Sequence, residues 1–125
     1  MRWLLLAFAL GQIVIGLLLW GTPGFFYESI GPYGLRNDHY MGDVASWYLA
    51  LGAVALVALR REFWRVPVLA LAFVQYALHS ANHLIDVGEA DPSWLGPANL
   101  ASLVLTTILL GWMLGMGPRP AGSAS

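Results

Sequence analysis

The amino-acid sequence predicts an all-α integral membrane protein, and two observations carry that prediction. Of the 125 residues, 58% are hydrophobic and only 10% are charged, whereas about 25% of the residues in soluble domains are charged. The apolar residues also form four long runs, and about 20 residues are needed to cross a bilayer as a helix. We therefore expect a single four-helix membrane domain at 1–116, followed by a disordered tail at 117–125.

The four predicted spans are 3–20, 39–59, 66–86 and 97–116. The first run also resembles the apolar part of a signal peptide, with Met1 and Arg2 as its charged start. It is long for that role and no A-x-A-like cleavage site follows it, so we favour a retained span. In the second span, Gly42 and Ser46 form a small-xxx-small step, which predicts close packing against another helix there.

Three connections separate the spans. Residues 21–38 are rich in Gly and Pro, which predicts a loop, and its aromatic residues predict that it lies at the membrane interface or folds over the bundle. Asn37 or Asp38 is the expected N-cap of the next helix. A short basic turn follows the second span, and an acidic turn at 87–96 follows the third.

The arginines predict the topology. Five of the six fall on one side of the predicted bundle, namely Arg2, Arg60, Arg61, Arg65 and Arg119. Only Arg36 falls on the other side. Because cytoplasmic loops carry the excess of basic residues, we expect both termini to be cytoplasmic in a multi-pass protein of the inner or plasma membrane.

A polar stripe runs along the outer half of the third span. Its members fall on about a third of the helix circumference and are Gln75, His79, Asn82, His83 and Asp86. Ionisable side chains at membrane depth are costly and usually mark a functional site. The stripe is therefore the first candidate site in the chain.

The second span adds His39 and Asp43, four residues apart, at the same predicted membrane depth. Helices joined by a short turn are normally antiparallel neighbours, so we expect His39, Asp43, His79 and His83 to form one cluster near the outer surface. Asp86 borders this cluster, and Glu28 reaches it from the first connection. These two carboxylates are the expected proton-transferring groups.

Imidazole and carboxylate ligands suit zinc, copper or iron, and two His one turn apart are typical of helical metal sites. We therefore expect His39, His79 and His83 as metal ligands, and Asp43 as a ligand or as a group that orients one. Haem is a further possibility. The chain has no cysteine, which excludes a disulfide, an iron–sulfur cluster and a thiolate metal site.

Each of these residues also has a simpler explanation, which the sequence leaves open. His39 is also typical of an interfacial residue at a helix start, and Asp43 of an anion favoured near a helix N-terminus. Asp86 also fits a solvated helix end. Gln75 and His79 also fit a hydrogen-bonding pair that fixes helix packing.

Three short motifs carry a resemblance to a known group: Phe26-Tyr27, the segment from Asn37 through His39 and Asp43 to Gly52, and His79-x-x-x-His83. With them, the chain resembles small four-span membrane proteins of unknown function, mainly actinobacterial, and its layout is similar to the DoxX-like superfamily. The resemblance implies a four-helix bundle with a polar cluster and implies no particular reaction.

Two function classes follow as expectations. The first is a small metal-dependent membrane oxidoreductase that acts on a lipophilic substrate. The second is a non-enzymatic accessory subunit of a larger membrane complex, such as a respiratory one, in which the cluster is structural or binds haem. The expected partners are the lipid bilayer and either further copies of the chain or a larger complex, and no nucleic acid is expected.

Overall fold

The structure is a computed structural model that describes residues 1–116, so the predicted disordered tail at 117–125 lies outside the described residues. Residues 1–116 form five α-helices: α1 (Arg2–Gly21), α2 (Pro23–Ser29), α3 (Asp38–Arg60), α4 (Arg65–Ile85) and α5 (Leu95–Gly115). A single turn of 3-10 helix at Glu62–Trp64 lies between α3 and α4. Residues 1–116 contain no strand. Four of the helices are long and apolar enough to cross a membrane. The described residues are therefore all-helical, as predicted, and four of their helices fit the predicted multi-pass membrane protein.

The connection between the first two spans differs from the prediction. Residues 21–38 were expected to be a loop throughout, but Pro23–Ser29 form the short helix α2. Pro23 occupies the first turn, where its fixed φ suits a helix and its missing N–H is not needed. The chain then turns at Gly34, whose φ of 61° is left-handed and favours glycine.

Both ends of α3 are satisfied by specific side chains. Asn37 is the N-cap, as one of the two expected candidates, and its side-chain oxygen accepts a hydrogen bond from the Tyr40 backbone N–H at 3.0 Å. At the other end, the Arg65 guanidinium donates to the backbone oxygens of Ala58 at 3.1 Å and Leu59 at 3.3 Å. These bonds close the tight turn between α3 and α4.

The long helices form two closely packed pairs, α1 with α3 and α4 with α5, and α3 contacts α4 less extensively. Glycines permit the first close contact. A Cβ at Gly52 would lie 3.0 Å from the Ala9 backbone oxygen, and a Cβ at Gly16 would lie 3.1 Å from that of Ala45. A Cβ added at Gly42 would meet no atom within 4 Å, and Ser46 is exposed, so this step does not pack against another helix of the described residues.

The main core lies at one end of the bundle, which we call the closed end. It joins the start of α1, the end of α3, the start of α4 and the end of α5, and its fully buried large side chains are Leu5, Leu69, Leu110 and Met113. The arginine-containing turn between α3 and α4 therefore lies at the same end as Met1 and Met116. At the opposite end a smaller cluster joins α1, α2 and α3, and no residue of α4 or α5 belongs to it.

Candidate functional site

A cleft of about 270 Å³ lies between the two helix pairs, away from the closed end. All five helices and the segment after α2 contribute to its lining. Its apolar walls are formed by Ile15, Leu19, Phe26, Ile30, Val44 and Leu103. The cleft is partly open to the surface of the helix bundle.

The cleft also has a set of polar side chains, and all of them are uncharged or imidazole groups. They are Tyr33, Tyr48, His79, His83, Asn99 and Ser102. Within residues 1–116, no Asp, Glu, Lys or Arg contributes to the lining. An apolar cavity with a few convergent polar groups is the usual form of a small-molecule site.

His79 and His83 lie one turn apart on α4, with ring centroids 4.8 Å apart and an edge-to-face arrangement. The Nδ1 atom of His83 lies 3.2 Å from the Tyr33 hydroxyl, at hydrogen-bonding distance. The Nδ1 atom of His79 is fully buried and has no hydrogen-bond partner among residues 1–116. The helical spacing predicted this pair, and the structure places both rings at the cleft.

The segment after α2 covers the cleft and is held by two contacts to the second helix pair. Tyr33 packs its ring edge-to-face against His83, with centroids 4.8 Å apart. The Asn99 amide donates to the Ile30 backbone oxygen at 2.7 Å. The expectation that the aromatic connection folds over the bundle is therefore confirmed.

Two further polar groups lie in the interior beside the cleft. Gln12 is 2% exposed and its amide donates to the Tyr76 hydroxyl at 2.7 Å, which links α1 to α4. The side-chain oxygens of Gln12 and Gln75 are buried without a partner among the described residues. Gln75 and His79 therefore do not form the hydrogen-bonding pair that was the simpler explanation of these two residues.

His39 and Asp43 lie elsewhere. Their side chains are 91% and 70% exposed, they approach each other at 3.8 Å, and neither lines the cleft. They do not reach the cleft because of how α3 is rotated about its own axis. Tyr48 faces the cleft, and at about 100° per residue Asp43 lies roughly 140° around the helix from Tyr48. The structure thus separates the four expected ligands into two pairs. Residues 1–116 contain no group of three His, Asp or Glu placed to share a metal ion.

The two expected proton-transferring carboxylates also lie outside the cleft lining. Glu28 is exposed on α2. Asp86 is half-buried at the C-cap of α4 and accepts a long hydrogen bond of 3.4 Å from Asn82. A role for either residue in proton transfer stays a prediction.

Arg36, the basic residue near the cleft, forms an ion pair with Asp38. Arg36 donates to both carboxylate oxygens of Asp38, at 2.6 and 2.8 Å. The hydrogen bond to Asp38 raises the pKa of the Arg36 guanidinium above its ordinary value. Arg36 lines a second, smaller cavity that shares Tyr33 and Phe26 with the cleft, so the charge near this region is already matched by a carboxylate.

Sequence reasoning missed four cleft residues: Tyr33, Tyr48, Asn99 and Ser102. Asn99 carried a detectable signal, because an amide within an apolar span needs a hydrogen-bonding partner. Tyr48 and Ser102 carried none, since both residue types are ordinary in membrane helices. Only the rotation of each helix decides whether such residues face the cleft.

Comparison with known proteins adds no assignment, because the chain matches no family model, no curated protein and no solved structure. The resemblance to DoxX-like proteins therefore stays a prediction. The cleft and its polar lining are therefore the basis for a functional proposal.

Proposed function

We propose that this membrane protein binds a lipophilic molecule in the cleft and acts on its polar head through His79 and His83. The observation that carries the proposal is the composition of the cleft. Apolar walls formed by spanning helices enclose one patch of hydrogen-bonding groups, and that patch contains two adjacent imidazoles. A molecule with an apolar tail and a polar head matches both parts.

Access from the bilayer supports a lipophilic ligand. The cleft lies between the two helix pairs, and the segment after α2 covers it through the Tyr33–His83 and Asn99–Ile30 contacts. A ligand whose head enters under this cover leaves its tail between helices, where lipid chains are the natural neighbours. The volume of about 270 Å³ lies just below the range of about 300–1,000 Å³ for small-molecule sites, which suits a compact head with a tail that extends outward.

The histidines supply the chemistry in this proposal. Imidazole is the side chain best suited to give or take a proton near neutral pH. His83 is oriented by the Tyr33 hydroxyl, and His79 lies next to it, deeper along α4. In this scheme His79 contacts the head of the ligand, and His83 with Tyr33 connects it to the covered mouth of the cleft.

A bound metal and an oxidoreductase reaction remain part of the proposal as predictions. His79 and His83 provide two nitrogen ligands, whereas zinc sites in proteins use at least three protein ligands. A metal at this position therefore needs a further ligand from outside the described cluster. Elemental analysis of purified protein tests this directly. Absence of a stoichiometric metal, with a melting temperature that a strong chelator leaves unchanged, would remove the metal from the proposal.

The binding proposal is tested by filling the cleft. Ser102→Phe places a ring in the lining, and Ala101→Phe adds the same ring to the neighbouring position on α5, which does not line the cleft, as the matched control. Native mass spectrometry of protein released from lipid nanodiscs measures bound lipophilic molecules. We expect a specific adduct in the parent and in Ala101→Phe, and its loss in Ser102→Phe. Equal binding by all three proteins would contradict a site in the cleft.

A second candidate function is that of a subunit in a larger membrane assembly, and the position of His39 and Asp43 favours it. Both polar side chains are exposed on a face of α3 that continues through the exposed Ser46. Polar side chains of a spanning helix rarely face lipid, so a neighbouring protein is their expected partner in this second candidate. Because the chain has no cysteine, a Ser46→Cys variant forms cross-links to neighbouring proteins only through the introduced thiol, and we expect such cross-links in the membrane. Val74→Cys, exposed on α4, is the control, and equal cross-linking at both positions would count against this candidate.

A further inference from the structure

The polar side chains of the cleft have hydrogen-bond donors that no protein group uses, and these donors determine which polar head of a ligand would fit. We infer that the ligand carries an uncharged head that accepts hydrogen bonds, of the carbonyl class, such as an ester or a ketone on a long apolar tail. This inference rests on the proposed function, since it defines the ligand of the same cleft.

His79 provides the first donor. A neutral imidazole has one N–H donor and one acceptor nitrogen, and a protonated ring has two donors. Its Nδ1 atom is buried without a partner among the described residues. A buried unpaired N–H is rarer than a buried unpaired acceptor, and a buried unpaired charge costs much more. The hydrogen therefore lies on Nε2, the nitrogen that is left to contact a ligand.

The Tyr33–His83 pair provides the second donor in either arrangement of its hydrogens. If the Tyr33 hydroxyl donates to Nδ1 of His83, the hydrogen on Nε2 of His83 is free. If Nδ1 donates to Tyr33, the hydroxyl hydrogen is free instead. One donor remains in both cases.

Asn99 provides the third donor. Its amide nitrogen carries two hydrogens, and one of them is used by the Ile30 backbone oxygen at 2.7 Å. The second remains available on a side chain that lines the cleft. At least three donors thus line the cleft, which suits an acceptor oxygen in the ligand.

The lack of charge in the lining distinguishes a carbonyl from a carboxylate. Both accept hydrogen bonds, but an anion taken out of water needs a cationic partner. No Arg or Lys of the described part of the chain lines the cleft, and Arg36 in the neighbouring cavity is already paired with Asp38. Only the two imidazoles of the lining could become cationic, and each would first have to take up a proton in a largely apolar cleft. A carbonyl oxygen needs no such partner.

Three photoreactive probes with the same tail test the inference in nanodiscs. They are hexadecanoic acid with a mid-chain diazirine, its methyl ester, and hexadecane with the same diazirine. The sites of labelling are mapped by peptide mass spectrometry with and without excess unlabelled methyl ester. We expect saturable labelling beside the cleft, for example at Leu103, by the ester and much weaker labelling by the other two probes.

Variants of His79 provide the matched comparison. His79→Leu removes the donor and should weaken ester labelling about 2- to 10-fold, the effect of one lost hydrogen bond. His79→Gln keeps an N–H donor and should retain most of it, and His39→Leu, outside the cleft, should change nothing. Saturable cleft labelling by the ionised acid at least as strong as by the ester would overturn the inference and leave the binding proposal standing. No saturable labelling of the cleft by any probe would overturn both.

Discussion

The close contact between α1 and α3 at Gly52 predicts a measurable cost for a single added methyl group. In Gly52→Ala the new Cβ would lie 2.7 Å from Cγ1 of Ile13, 3.0 Å from the Ala9 backbone oxygen and 3.2 Å from Cβ of Gln12. The Ile13 atom can shift by a rotamer change, but the Ala9 oxygen moves only if α1 moves. Overpacking of this kind costs about 1–3 kcal/mol.

The helix propensity of alanine offsets part of that cost, by about 1 kcal/mol. Gly52→Ala should therefore lower the free energy of unfolding by about 0–2 kcal/mol. Gly42→Ala, on the same helix with no atom near its added Cβ, gains the propensity without the clash. The difference between the two variants isolates the clash and should be about 1–3 kcal/mol. Unfolding in mixed micelles measures both, and Gly52→Ala as stable as Gly42→Ala would refute the close packing.

Three further predictions concern the interior, the cover of the cleft and the topology. Gln12→Leu and Tyr76→Phe should each destabilise the fold, because each removes one partner of the hydrogen bond between α1 and α4. A double-mutant cycle should give a coupling energy of about 0.6–1.7 kcal/mol, as for interhelical hydrogen bonds in membranes. Additive effects of the two substitutions would show that the hydrogen bond does not contribute to stability. Asn99→Leu removes the hydrogen bond to the Ile30 backbone oxygen and should speed protease cleavage of residues 30–37 about 2- to 10-fold. The control Asn82→Leu should leave the cleavage rate unchanged. Equal cleavage rates in the two variants would show that the Asn99–Ile30 bond does not hold this segment. Reporter fusions should place the C-terminus in the cytoplasm and residues 87–96 outside, and the reverse pattern would invert the topology.

The sequence was sufficient for the helices because composition and run length determine where a chain can cross a bilayer. The predicted span at 39–59 and the observed helix Asp38–Arg60 differ by one residue at each end. The sequence was not sufficient for α2, because Gly and Pro at 21–38 mark turns and also permit a helix that starts at Pro23.

The sequence could predict which candidate residues share one face of a single helix, but it could not predict which faces of two helices meet. Spacing alone placed His79 and His83 on one face, since the helical period fixes that relation. It did not show which face of α3 meets α4, so His39 and Asp43 were expected in a cluster that the structure does not form. The rotation of α3 depends on Gly16 and Gly52, where α1 and α3 approach, and these contacts become visible only in three dimensions.

Binding of a lipophilic ligand at His79 and His83 is tested most directly by histidine-selective NMR in nanodiscs. The chain has three histidines, so each side-chain signal can be assigned with one substitution per residue. On titration with the methyl ester of hexadecanoic acid, we predict saturable shifts of the His79 and His83 signals, with His39 unchanged. Signals that do not respond, or a response confined to His39, would contradict a ligand site in the cleft.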